Sequence, residues 1–273
     1  MLATNSKTDK YCGPLRALIL DWAGTVVDFG SCAPVAAVIE AFRSLEVPVS
    51  REQARAPMGK AKREHIRAML SEQAVASQWE STHGGDIESA IDTVYERFLP
   101  IQRQLLADHA KLIPGCVESI DRCRARGMKI GSSTGYTREL MDILMPLVAE
   151  QGYEPDAMVC ASDMSEGRPA PWMCFENARM LGVYPPQAIV KVDDTLVGIE
   201  AGLNAGMWTV GVASSGNLVG LSLQEYSDLD TSEQERLTDA ARQQLLQSGA
   251  HVVIDSVAEL TDAIEQIEDL RRR

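Results

Sequence analysis

Short apolar runs punctuate this chain, and each gives way to a segment whose apolar positions recur every three to four residues. The runs cover residues 17–20, 128–132, 157–160, 188–192, 208–212 and 252–254. Runs of this length read as buried strands and the periodic segments as helices, so the alternation predicts a parallel sheet covered on both faces. Between Leu20 and Met128 no further strand is evident. That stretch predicts helices over 34–45, with Pro34 near the first helical position, over 60–73 and over 87–106. The expected fold is a doubly wound α/β sheet with a helical cap inserted after the first strand. Residues 1–30 form the first part of the core, 31–110 the cap and 111–273 the second part of the core, with the chain returning near Leu112-Ile113-Pro114-Gly115.

Composition narrows the possibilities. Hydrophobic residues at 45% and charged residues at 24% are ordinary globular usage, which excludes a disordered or collagen-like chain. Lys plus Arg (26) against Asp plus Glu (39) leaves a net charge of -13, and nucleic acid is disfavoured because its binding draws on a basic surface. The basic cluster Arg271-Arg272-Arg273 reads as a solvated helix end. No apolar run approaches the ~20 residues of a membrane span, and the run at 17–20 ends at Asp21. Lys7, Asp9, Lys10 and Arg16 near the start argue against a secretory signal. Six scattered cysteines without a Cys-x-x-Cys pair indicate neither zinc nor a disulfide framework, so the cytoplasm is the expected compartment.

In an open parallel sheet, ligands bind at the carboxyl ends of the strands. Here the first strand ends in Asp21-Trp22-Ala23-Gly24-Thr25, the second in Ser132-Ser133-Thr134-Gly135 and the fourth in Asp193-Asp194-Thr195. Gly167-Arg168-Pro169 follows the third and adds a guanidinium, which suits phosphate oxygens. Each piece alone has an ordinary reading as a cap, a turn or a surface loop. Together they describe a site for a phosphoryl group and a divalent cation.

These four ordered motifs resemble those of the haloacid dehalogenase superfamily, mostly phosphotransferases with an aspartate nucleophile and magnesium. The resemblance implies that Asp21 attacks phosphorus, that Asp21, the carbonyl of Ala23 and Asp194 hold Mg2+, and that Thr134 and Arg168 bind phosphoryl oxygens. Two departures stand out. Phosphatases and mutases of the superfamily usually carry an acidic residue where this chain has Ala23, to protonate an oxygen leaving group. Many members also have an acidic residue near the metal where this chain has Gly198, and Asp193 is a candidate to compensate.

Met58-Gly59-Lys60-Ala61-Lys62 and the following Arg63-Glu64-His65-Ile66-Arg67 lie in the insertion. With Thr134-Gly135-Tyr136-Thr137-Arg138-Glu139 and Gly167-Arg168-Pro169-Ala170-Pro171-Trp172-Met173, they resemble the phosphonoacetaldehyde hydrolase family over about residues 15–251. A lysine in such a run is ordinarily a solvated face. The Met-Gly-x-x-Lys pattern of the resemblance selects Lys62 as an amine that forms a Schiff base with the substrate aldehyde. Lys60, two places away, is expected to point to the other side of the helix. His65, one turn from Lys62, is a candidate proton shuttle. Met58 and Trp22 either line the pocket or belong to the core.

The implied reaction is hydrolysis of phosphonoacetaldehyde to acetaldehyde and phosphate through an imine on Lys62 and an aspartyl phosphate on Asp21. The rivals are a phosphomonoesterase or mutase of the superfamily, which Ala23 disfavours, and a silent binding module, which the full set of strand-end residues disfavours. The resemblance further implies a homodimer paired through the insertion.

Overall fold

In a computed structural model that describes residues 11–272, six strands form one parallel sheet in the order β3-β2-β1-β4-β5-β6. The strands are β1 (Ala17–Leu20), β2 (Lys129–Thr134), β3 (Ala157–Cys160), β4 (Ile189–Asp193), β5 (Trp208–Val212) and β6 (Val252–Ile254). Between β1 and β2 run the cap helices α1 (Cys32–Ser44), α2 (Arg51–Arg55), α3 (Lys62–Leu70), α4 (Gln73–Thr82) and α5 (Ile87–Leu106). The core helices follow: α6 (Cys116–Ala125), α7 (Arg138–Ala149), α8 (Trp172–Leu181), α9 (Leu196–Asn204), α10 (Leu223–Ser227), α11 (Thr231–Gln247) and α12 (Leu260–Arg272). The stretch with Lys7, Asp9 and Lys10 lies outside the described residues, as does Arg273 of the arginine cluster. No helix among the described residues is long and apolar enough to cross a membrane.

Alternation along each strand sends successive side chains to opposite faces. Leu18 and Leu20 join α6, α7 and α12 in one apolar layer, whereas Ala17 and Ile19 pack under α8 and α9. Both faces of β1 are therefore covered, which is why it reads as a continuous apolar run. The sheet order reverses direction at β1, flanked by β2 and β4. The residues just beyond these three strands share the crevice where a doubly wound sheet takes its ligand.

A separate apolar cluster lies in the cap, where Val38, Phe42, Ile66, Met69 and Trp79 meet Ile91, Val94 and Phe98 of α5. The helix expected over 60–73 is shorter than anticipated. Gly59 has φ 89 and Ala61 is extended, so α3 starts at Lys62. It stops at Leu70, where the Ser71 hydroxyl bonds back to the Arg67 carbonyl (2.7 Å) and Glu72 turns extended to begin α4. Pro34 is the third helical residue rather than the first, because the Asp28 carboxylate accepts the Ala33 N–H (2.8 Å) and starts α1 at Cys32. Its missing N–H still costs nothing, since the first turn has no intrahelical acceptor to offer.

Candidate active site

Asp21 follows β1 directly, and its N–H donates to the Val192 carbonyl (3.0 Å), which locks it against β4. Its Oδ1 accepts from Arg168 Nη2 at 2.6 Å. The same Nη2 donates to Ser133 O (2.8 Å) and Oγ (3.1 Å), and Nη1 lies 3.3 Å from Asp193 Oδ2. Thr134 ends β2, and its Oγ1 accepts the Tyr136 N–H at 3.1 Å. Asp21, Thr134 and Arg168 thus sit on one edge and line one cavity with Ala23, as the strand-end reading expects.

Asp21, Asp193 and Asp194 place a carboxylate oxygen each within 4.8 Å of one another, all buried. Two buried cations answer them. Lys191 Nζ donates to Asp193 Oδ2 at 2.7 Å, and Arg168 bridges Asp193 and Asp21. Burial alone would raise Asp193, but Arg168 and Lys191 outweigh it and hold this carboxyl below its ordinary value. Asp194 forms no ion pair among the described residues. It accepts from Thr25 Oγ1 (3.3 Å) and the Asn217 N–H (2.7 Å). Burial, then Asp21 and Asp193, push it well above the carboxylate range. Asp194 is thus a carboxyl whose ionised form lacks a cationic partner, and a hard divalent cation with oxygen ligands is the chemistry that supplies one. The residues fit such an ion.

Facing this edge is the cap segment before α3. A side chain at Gly59 would strike Thr195 Oγ1 (2.4 Å) and one at Gly135 would press on the Lys60 carbonyl (3.0 Å), so glycine at both positions lets the two halves approach closely. Lys62, 5% exposed, enters the cavity that Asp21 lines, its Nζ 5.5 Å from the centre of the Tyr136 ring and 5.9 Å from that of Phe98. Burial lowers its pKa to about 8, with Asp21 opposing and Arg168 adding to the fall. Lys60 precedes the helix and lines the same cavity, contrary to the expectation of opposite faces, which assumed helix at both positions. His65 is fully buried, and neither ring nitrogen has a well-formed hydrogen bond among the described residues. Burial, then Lys62, lowers it to about 3, so the imidazole is neutral, and it is not among the cavity walls. Met58 lines the cavity, whereas Trp22 is core, edge-on to Tyr153 at 5.7 Å.

Residues 15–206 match the model of the haloacid dehalogenase-like hydrolases. A protein of Syntrophobacter fumaroxidans named phosphonoacetaldehyde hydrolase-like is 44% identical over 97% of this chain and 96% of its own length. A phosphonoacetaldehyde hydrolase of Vibrio cholerae is 45% identical over 93% of this chain and 95% of its own. The crystal structure of a phosphonoacetaldehyde hydrolase-like protein from Oleispira antarctica superposes with a TM-score of 0.93 at 45% identity, covering 95% of both chains. The chain belongs to the haloacid dehalogenase-like hydrolases, in the phosphonoacetaldehyde hydrolase family.

Within this family fold, the two departures acquire a structural setting. Ala23 leaves apolar wall where an acid would stand. A Cβ at Gly198 would lie 2.0 Å from the Asp193 carboxyl carbon, so the Asp193 carboxylate fills the space a side chain at 198 would need. Both its oxygens are engaged, Oδ1 by the Thr195 N–H (3.0 Å) and hydroxyl (2.7 Å) and Oδ2 by Lys191. The sequence reading did not assign Lys191, Ser133, Thr25, Asn217 or Arg55. Lys191 carried a signal, being a charge set among the apolar residues of β4 ahead of its terminal Asp193.

Proposed function

We propose that this hydrolase cleaves the carbon–phosphorus bond of phosphonoacetaldehyde, releasing acetaldehyde and phosphate. The observation that carries the reading is a buried lysine of lowered pKa in the same cavity as a strand-end aspartate, with alanine where an ester hydrolase wants its acid. Expelling carbon from phosphorus would form a carbanion, which a proton donor at position 23 could not rescue cheaply.

Neutral Lys62 adds its Nζ to the aldehyde carbon, and the carbinolamine takes up one proton from solvent as water leaves, giving a protonated imine. Asp21 then bonds to phosphorus through a carboxylate oxygen as the carbon–phosphorus electron pair moves into the imine, so carbon departs as a neutral enamine. Water cleaves the aspartyl phosphate. Protonation of the enamine carbon and hydrolysis of the imine release acetaldehyde and restore Lys62. Thr134 and Arg168 hold the phosphoryl oxygens. Asp21, the Ala23 carbonyl and Asp194 would hold Mg2+, which neutralises the charge that otherwise repels carboxylate from phosphonate. His65, one turn from Lys62, stays neutral with a pKa of about 3 and lies outside the cavity wall, so its place is beside the amine rather than against the substrate.

We also read residues 1–30 and 111–273 as the core and 31–110 as the cap, consistent with a separate cap cluster. The family resemblance carries a homodimer, and six scattered cysteines without a Cys-x-x-Cys pair carry a cytoplasmic setting. Borohydride added with substrate should inactivate the enzyme and mark Lys62 in a peptide map. Phosphate release from esters but not from phosphonoacetaldehyde, with no marked lysine, would favour the phosphomonoesterase.

A further inference from the structure

The loop after β5 touches both halves of the molecule. Arg55, the last residue of α2 in the cap, donates Nη1 to the Gly30 carbonyl (2.8 Å) and Asn217 Oδ1 (3.0 Å), and Nη2 to the Gly220 carbonyl (2.7 Å). Asn217 answers from its side chain to the Arg55 carbonyl at 3.4 Å. A side chain at Gly220 would meet the guanidinium carbon at 2.7 Å, so the loop is shaped to receive this fork. The same loop faces the site on its other side. The Asn217 N–H donates to Asp194 Oδ2 (2.7 Å), Ser215 Oγ donates to the Gly24 carbonyl (3.0 Å), and the Gly30 N–H donates to the Ser215 carbonyl (2.7 Å).

We propose that Arg55 is a positioning residue that clamps the cap to the core and, through Asn217, holds the Asp194 carboxylate in place. Closure of the cap and readiness of the cation site are then one event. The nearby Arg51–Glu225 pair cannot do this, being exposed on both sides at 3.7 Å. A lysine cannot replace the clamp either, because a single ammonium does not span acceptors arranged for a planar fork.

The inference rests on the proposed activity only for its kinetic readout. Manganese binding, measured on the full chain without substrate, supplies a second. Arg55→Ala should weaken manganese binding about tenfold and raise KM about tenfold, with kcat changed less than about threefold, because bound substrate still selects the closed form. Millimolar guanidinium should restore much of both in Arg55→Ala, and Arg55→Lys should recover less than that. A folded Arg55→Ala protein with manganese affinity and KM within about twofold of the parent overturns the clamp. If Arg55→Ala does not fold, Arg55→Lys decides, with shifts of about threefold expected and unchanged values overturning it. If the parent releases no phosphate from phosphonoacetaldehyde, the substrate reading fails while manganese binding still judges the clamp.

Discussion

The core and the cap each bury a lysine, and the two are treated oppositely. Lys191, on β4, is fully enclosed, and its ammonium bonds Asp193 at 2.7 Å and the Val192 carbonyl at 3.1 Å. Lys62, on α3, has two aromatic rings near its amine and no ion pair among the described residues. Paired with a carboxylate, Lys191 is an electrostatic part of the core. Burial without an ion pair lowers the pKa of Lys62 to about 8, and the neutral amine this makes accessible is a nucleophile. The difference lies in the partner supplied, and the cap supplies none.

The sharpest test of this contrast removes nucleophilicity and keeps charge. Lys62→Arg should lower phosphonate cleavage by about 10³-fold or more, equal to about 4 kcal/mol of barrier, in a steady-state assay, since an arginine stays protonated and forms no imine. Activity near the parent's would end the Schiff-base account. Lys191→Met attacks the other side. It leaves Asp193 buried without its amine, so denaturant unfolding should show a loss of about 3–5 kcal/mol. A near-neutral result would mean that Arg168 alone holds the carboxylate.

Lys62→Met should do the reverse and stabilise the protein by roughly 3 kcal/mol near neutral pH, the cost of holding an ammonium whose pKa falls from 10.5 to about 8. Below about pH 8 the amine is protonated in both folded and unfolded chains, so the parent bears the full cost. Between about 8 and 10.5 the folded chain sheds its proton first, and the variant's advantage fades. Parallel urea titrations across this range read the difference directly. A gain that does not fade with pH would assign it to packing.

The same titration shapes catalysis. Log kcat/KM should climb with a slope of about one per pH unit until about pH 8 and then level, as the neutral amine accumulates. A flat profile from pH 6 would place the amine outside the rate-limiting chemistry. The smallest effect belongs to Lys60→Arg, expected within about threefold of the parent because it keeps the charge at the cavity wall and Lys60 forms no bond to substrate. A dead Lys60→Arg would exchange the two cap lysines' roles.

Much of the site's edge was legible beforehand, though the contrast between the two lysines was not. The β1 run ending at Asp21 and the β4 run ending at Asp193-Asp194 placed three carboxylates on one edge, because strand ends follow from local hydrophobic pattern. Helix α5 was read at its observed bounds from its periodicity. Helix α2 went unread although Ser50 and Gln53 form a capping box, a signal present in the sequence itself. Lys62 was chosen over Lys60 through a family pattern, and the physical reason offered, opposite faces of one helix, does not hold where the helix starts at Lys62.

By itself the sequence determined the six strands, the helical interruption after the first, and the chemistry waiting at the sheet edge. Each depends on residues near one another in the chain, where alternation, turn formers and side-chain type act locally. Tertiary structure alone decided which lysine is ion-paired and what holds Asp194. Asn217 reaches Asp194 across 23 positions, Arg55 reaches Asn217 across 162 and Thr25 reaches Asp194 across 169. A pKa or a clamp is set by what lies within a few ångströms in space, and only folding brings those residues within reach.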